Sequence, residues 1–346
     1  MSIDIIYKEQ NEDLFWKYWN QITKKASYAY FQNTIKIYLL TLKNKLMVDK
    51  SFIYLENKIP LAAVFLPIEK QKNNISISLN NNFIPSPIFD ASVSKKVFLL
   101  IEKISQEIKV KKIMFAIDPL GPALYNYLQK YGFIDSSILS YVIDLNGVDL
   151  LSLCRKGNRN EIKKILTCND YSLFYIDKKK PNYVIFKDYI KLHHLCSGKK
   201  TRPDESFDLQ FDNLKKGNGV LFGLSFKKKN LGFVYFEFNQ ENAIYYSGSD
   251  DPKYNFLPLY HVLIYSAMKY LKKHGIKYID TGQPSSPSAQ FGYTPDKKQL
   301  NIALFKRGFP GDYKNYYRGI KYFSKDLFKE DMDIFMKNYL NQINYE

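Results

Sequence analysis

The stretch that decides the fold runs from Ile244 to Gln283, IYYSGSDDPKYNFLPLYHVLIYSAMKYLKKHGIKYIDTGQ. An apolar run beginning at Ala243 breaks at Ser247-Gly-Ser-Asp-Asp-Pro252. After Pro258, Leu259, Leu263, Ala267 and Tyr270 fall at helical spacing on one face, and Gly275 stands where a helix ends. A second apolar run, Ile276 to Asp280, stops at Asp280-Thr-Gly282. Strand, helix and strand in this order predict a right-handed crossover that lays the two strands side by side and parallel. Crevices at the carboxyl ends of such strands bind ligands in open α/β sheets. Asp250 and Asp251 mark one strand end and Asp280 the other, so the two ends are expected to line one cleft.

Working outward, the same order occurs twice. Val220–Phe226 and Leu231–Phe238 read as a hairpin around Lys227-Lys-Lys-Asn230, and Ala243–Ser247 as the next strand. The short helix Lys298–Lys306 and the turn Arg307-Gly-Phe309 close this copy. In the first half, Ser51–Leu55, Leu61–Pro67 and Ile75–Leu79 are strands, Ser94–Lys109 a helix, and Ile113–Asp118 a strand. A short helix Pro122–Lys130, the turn Tyr131-Gly-Phe133 and a strand Ile138–Leu145 follow. Asp118 and Asp280 hold equivalent places. A repeat this long predicts a duplicated domain rather than a solenoid. The expected fold class is α/β (α+β): tandem mixed sheets flanked by helices, divided into 1–146 and 147–346.

Bulk properties bound the function. The chain has 346 residues, enough for two cores, and a formal net charge of +17. Such a charge suits a nucleic acid, an anionic membrane or a phosphorylated small molecule. No helix-turn-helix, zinc or RNA-binding signature accompanies it, and DNA is not an expected partner. The N-terminal residues carry no secretory pattern, and no apolar run reaches bilayer length. Cys154, Cys168 and Cys196 form no CxxC pair, which fits reduced thiols in the cytoplasm. No metal-ligand spacing is present. Positive charge is mostly lysine. The few arginines, Arg155, Arg159, Arg202, Arg307 and Arg318, are the better candidates for a bidentate fork on phosphate or carboxylate.

Several strings in the second half carry a resemblance. They are Tyr141-Val-Ile-Asp-Leu145 with Arg155-Lys-Gly-Asn-Arg-Asn-Glu-Ile162, Leu192-His193 with Gly198-Lys-Lys-Thr-Arg202-Pro, Tyr246-Ser-Gly-Ser-Asp250 with Gly275–Gly282, and Leu304-Phe-Lys306 with Gly308-Phe309. In this order and spacing they resemble the FemAB-like branch of the GNAT superfamily, acyltransferases built from two GNAT-like halves. The match covers most of the second half; in the first half only the element order and Tyr131-Gly-Phe133 fit. The resemblance implies GNAT-like sheets and transfer of an acyl or aminoacyl group to an amine. The donor is expected to be acyl-CoA or aminoacyl-tRNA. The acceptor is expected to be a cell-envelope glycan or peptidoglycan precursor, phosphorylated as an amino-sugar nucleotide or lipid-linked, with tRNA and a peripheral membrane as further partners. The chain lacks the Gln/Arg-x-x-Gly-x-Gly/Ala loop that holds the CoA pyrophosphate in many GNAT domains. It also shows no charged heptad run for the long helical hairpin that tRNA-using members often carry, which leaves the donor class open.

Acyl transfer requires aligned reactants, a proton acceptor and charge stabilisation at the carbonyl oxygen. Asp280, Asp250, Glu237 and Tyr246 are the catalytic candidates. Asp280 ends a central strand, where a bare carboxylate is costly. Glu237 shares a strand face with Phe233 and Tyr235, where burial would raise its pKa. Tyr246 suits protonation of a leaving group. Arg202, His193, Glu205, Lys306, Gln283, Arg155 and Arg159 are the substrate-binding candidates. His193 shares a helix face with Phe186, Tyr189 and Cys196; Arg155 and Arg159 are one turn apart and expected to project together. Lys306 is placed by the resemblance near a substrate phosphate. Two other readings remain open at this level: a catalytically silent GNAT-fold scaffold, and a basic module that binds nucleic acid such as tRNA. Tyr322–Tyr339 is expected to be a docking helix or, alternatively, a membrane-surface one.

Overall fold

The computed structural model describes residues 2–42, 44–282 and 290–343. The chain begins β1 (Ile3–Tyr7), α1 (Glu12–Ile22), α2 (Gln32–Thr41), β2 (Leu46–Asp49), β3 (Phe52–Glu56), β4 (Ile59–Val64), β5 (Pro67–Gln71) and β6 (Asn74–Ile77). It continues with β7 (Ile84–Pro85), β8 (Ile88–Phe89), α3 (Ser94–Glu107), β9 (Lys112–Ala116), β10 (Ile134–Asp135), β11 (Ile138–Asp144), α4 (Lys156–Leu166) and β12 (Tyr171–Ile176). Then come α5 (Tyr183–Ser197), α6 (Asp204–Lys216), β13 (Gly219–Phe226), β14 (Lys229–Asn239), β15 (Asn242–Asp250), α7 (Leu259–Lys273) and β16 (Tyr278–Asp280). It ends with α8 (Lys297–Lys306), β17 (Gly311–Tyr316), β18 (Arg318–Tyr322) and α9 (Lys325–Ile343).

Two compact units form. One comprises Met1–Leu139, Ser285–Leu300 and Asn315–Glu346; the other comprises Ser140–Pro284 and Asn301–Lys314. The contiguous division expected at residues 146/147 is therefore corrected. The reason is strand exchange. In the first unit the main sheet runs β10-β18-β9-β6-β5-β2; in the second it runs β12-β13-β14-β15-β16-β11-β17. Both sheets share one plan: an antiparallel pair (β5/β6, β14/β15), a parallel pair across a helix (β6/β9 over α3, β15/β16 over α7), then an antiparallel neighbour. That neighbour is β18 in the first unit and β11 in the second, so each sheet takes the strand that closes the other half of the sequence. The first unit also has an antiparallel sheet, β1-β3-β4-β8, which the chain leaves at Phe65-Leu66.

Local chemistry explains the elements. Asn11 caps α1 by accepting from the Leu14 N–H at 3.1 Å, and Glu12 and Asp13 favour its positive end. Phe15, Trp16 and Trp19 then bury in the first core with Phe52, Phe98 and Phe115. In the second unit α7 buries Leu259, Val262, Leu263 and Ala267, each burial stabilising by about 1.5–3 kcal/mol for the larger aliphatics. Gly275 follows the helix at φ +82°, the left-handed geometry that ends it. The short helix expected at Pro122–Lys130 is a 3-10 turn over Tyr127–Tyr131, closed by Gly132 at φ +74°.

Candidate active site

The crossover forms as expected, but its register separates the two strand ends. The described pairing of β15 with β16 covers Asn242–Ile244 against Tyr278–Asp280. Asp280 thus lies opposite Ile244, while Asp250 lies six residues farther along β15, roughly 20 Å at about 3.3 Å per residue. Asp250 and Asp280 therefore do not face one another across one cleft. β16 ends at Asp280, and a β-bulge follows at once in β15. Tyr235 pairs with Ser247 and Phe236 with Tyr245, leaving Tyr246 as the extra residue. A bulge increases twist and bends its strand, and here it falls just past the last pairing with β16.

Two cations flank this bulge, one beside each of its tyrosines, and the two tyrosines pack against different cores. The Lys306 ammonium at the end of α8 sits 5.8 Å from the Tyr245 ring centroid. The Arg202 guanidinium, before α6, sits 5.8 Å from the Tyr246 ring centroid and 3.8 Å from that of Phe207. Lys306 donates to the Thr281 carbonyl. Burial lowers its pKa, and the Asp280 carboxylate opposes that shift. Arg202 donates through Nη2 to Gln210 Oε1, while its buried Nε has no hydrogen-bond partner among the described residues.

Around Arg202 lies a buried polar network. Glu237 is fully buried; its Oε1 accepts from Asn213 Nδ2 at 2.9 Å and from the Tyr235 hydroxyl at 3.3 Å. Burial and then Glu237 raise the Tyr246 pKa, so this phenol keeps its proton near neutrality. His193 Nδ1 lies 3.5 Å from Thr201 Oγ1, and its ring packs edge-on against Phe207. Burial, followed by Arg202 and His194, pushes its pKa down to about 4. Four sequence candidates, Glu237, Tyr246, Arg202 and His193, thus come together.

Farther along β15, a row of hydroxyls leads to Asp250. Its Oδ1 accepts from the Tyr260 hydroxyl at 2.8 Å and from Cys196 Sγ at 3.1 Å. Tyr189 joins this row to the network, with its hydroxyl 2.6 Å from Ser247 Oγ and 3.4 Å from Gln210 Nε2. Tyr189, Tyr245, Tyr260, Gln210 and Asn213 were not singled out from the sequence. With 29 tyrosines in the chain, no local signal separates these from packing residues.

The other candidates lie apart from this network or serve local roles. Asp280 Oδ1 accepts from Gly282 N at 2.8 Å and from Ser140 Oγ, a loop-capping arrangement. Asp251 accepts from Lys253 N and pairs with Lys229 at 2.8 Å. Glu205 is exposed in the first turn of α6, where the helix dipole favours an acid. Arg155 stands at the N-cap of α4, and Arg159 donates to the Ser152 carbonyl. Gln283 lies outside the described residues. Among those residues, no helix is long and apolar enough to cross a membrane.

No family model matches the chain, and no curated protein matches it. Solved structures do. FemX matches with a TM-score of 0.61 over 95% of this chain and 99% of its own, at 14% identity. A C-terminal domain from Agrobacterium fabrum, assigned to a lysylphosphatidylglycerol synthetase, matches at 0.59 over 90% and 93%, with 10% identity. A tandem GNAT protein from the clavulanic acid biosynthesis pathway matches at 0.52 over 93% and 98%, with 10% identity. At such identities the likeness establishes architecture: the chain has the FemAB-like tandem GNAT fold.

Proposed function

We propose that the protein is an aminoacyl- or acyltransferase that acylates an amine of a phosphorylated cell-envelope precursor at the β15 bulge. The observation that carries this reading is the pair of cations that flank the bulge, Lys306 beside Tyr245 and Arg202 beside Tyr246, where the pairing of β15 with β16 ends. A strand that leaves its neighbour exposes backbone and side chains to a ligand. Two cations there suit the carbonyl oxygen of a donor and the phosphate of an acceptor.

An aminoacyl ester of tRNA is the favoured donor. The loop that enters α7 carries Asp250 and Asp251 and has no glycine before the helix begins. A pyrophosphate there would meet carboxylates instead of open N–H groups. The net charge of +17 also draws a polyanion toward the protein. In the reaction, the amine nitrogen forms a C–N bond to the ester carbonyl carbon. The C–O bond to the ribose breaks, and the proton lost by the amine ends on that ribose oxygen. Lys306 stabilises the carbonyl oxygen, Arg202 holds the acceptor phosphate, and Tyr246 or Asp250 relays the proton.

The test is transfer of radiolabelled amino acid from charged tRNA, run beside acetyl-CoA, onto amino-sugar nucleotide and peptidoglycan precursors. Lys306→Met is expected to lower the rate on the order of a hundredfold. Absence of transfer from either donor by the folded wild-type protein rejects an enzymatic role and promotes the scaffold reading. Full activity of Lys306→Met rejects this site.

A further inference from the structure

One face of the main sheet of the first unit carries a covered polar row. Ile113 and Phe115 point into the first core, so alternation places Lys112 and Met114 of β9 on the opposite face. Register then defines a row across four strands. Glu69 pairs with Ser76, Ser76 with Lys112, and Lys112 with Tyr322. Glu69, Ser76 and Lys112 have relative exposures of 0%, 6% and 7%. Glu69 is satisfied locally, by Ser78 and by the Asn81 N–H at 2.8 Å. Lys112 instead donates at 3.0 Å to Asp331 of α9, whose same oxygen accepts from the Tyr322 hydroxyl at 2.7 Å.

Beside this ion pair lies a cavity of about 280 Å³. Lys112, Asp331 and the Tyr322 hydroxyl contribute its polar side, and Met114, Ile320 and Phe335 contribute apolar walls. Lys112 is buried and Asp331 half-buried, and desolvation offsets much of the attraction in such a pair. Its presence on a cavity wall needs another cause. A hydrocarbon ligand would leave both charges desolvated. A ligand with one net charge would match one partner and oppose the other. A molecule with an ammonium and a carboxylate a few bonds apart matches both. A cavity of about 150 Å³ takes up benzene, so this one has room for a ring or branched chain with a polar head.

We propose that this cavity binds a zwitterionic small molecule with an apolar body, of the chemical class of an aromatic or branched α-amino acid. The carboxylate meets Lys112, the ammonium meets Asp331, and the side chain lies against Met114, Ile320 and Phe335. This site is separate from the proposed transfer site and does not depend on that reading.

Titration calorimetry of the full chain with L-phenylalanine tests it, compared with 3-phenylpropionate and 2-phenylethylamine, which each lack one charge. L-phenylalanine is expected to bind, and both analogues at least about tenfold more weakly. Ile334 is 54% exposed at the cavity rim, so Ile334→Trp is expected to fold and to obstruct the opening. Its affinity for L-phenylalanine should fall by about tenfold or more with little change in Tm. The wild-type comparison stands even if that variant fails to fold. Equal binding of the singly charged analogues overturns the proposal. So does undiminished binding by folded Ile334→Trp, or no binding of either L-phenylalanine or L-leucine by wild type.

Discussion

Asp280 illustrates how a carboxylate can hold two roles at the scale of one residue. Its Oδ1 caps the loop after β16, and its charge opposes the lowering of the Lys306 pKa that burial causes. Asp280→Asn keeps an acceptor oxygen but loses the charge. The Lys306 pKa should then drop further, so a reaction that needs the cation fails at lower pH. The expected outcome is a basic limb of the pH–rate profile displaced toward acid, with little loss of Tm. An unmoved limb would separate Asp280 from Lys306 in function. His193 gives a stability prediction of definite sign. Its folded pKa of about 4 lies below the ordinary histidine value of 6.5, so the neutral form is favoured by folding. Its contribution is complete above pH 6.5 and declines as pH falls toward 4. His193→Gln should flatten this part of the urea-stability profile, while a parallel shift at every pH would assign the change to packing alone.

At the scale of elements, the bulge in β15 governs the site. Tyr246 lies beside Arg202 and Tyr245 beside Lys306, and the bulge falls where the pairing with β16 ends. Gly248 supports the hydroxyl row beyond it. A Cβ there would lie 2.3 Å from the Tyr245 hydroxyl and 2.6 Å from a Tyr260 ring carbon. Both rings must shift to admit it. Gly248→Ala is therefore expected to destabilise by about 1–3 kcal/mol and to reduce transfer activity more than a surface glycine such as Gly157, whose Cβ meets nothing within 4 Å. Chemical denaturation and the transfer assay on both variants check this. Equal behaviour of the two would show that Tyr245 and Tyr260 have room to move.

For the whole molecule, strand exchange makes the sequence halves poor guides to folding units. β18 lies between β9 and β10, and Arg318 on it is 3% exposed, donating to the Ser136 carbonyl at 2.8 Å. A chain ending at Lys314 loses this strand and α9, which leaves the β9 edge unpaired beside a core already built around Phe115. Such a chain should lose cooperative unfolding of the first unit and expose apolar surface to a dye such as ANS. Retention of a sharp two-unit transition would mean that β18 is dispensable. An isolated fragment 1–146 should fail for the same reason.

The sequence alone determined what depends on neighbours along the chain. Apolar periodicity placed α7 and its flanking strands, Gly275 marked the helix end, and the doubled order of elements announced two related sheets. Even the helix face of His193, with Phe186 and Tyr189, was legible, because residues three and four apart share a face whatever they pack against. Tertiary structure alone decided the rest. Register put Asp280 opposite Ile244 instead of near Asp250, since a three-residue pairing leaves no periodic trace. Burial of Glu237 depended on α6 supplying Asn213. The exchange of β11 and β18 was hidden because two sheets built to one plan present closing strands of the same pattern, and only long-range hydrogen bonding chooses between them.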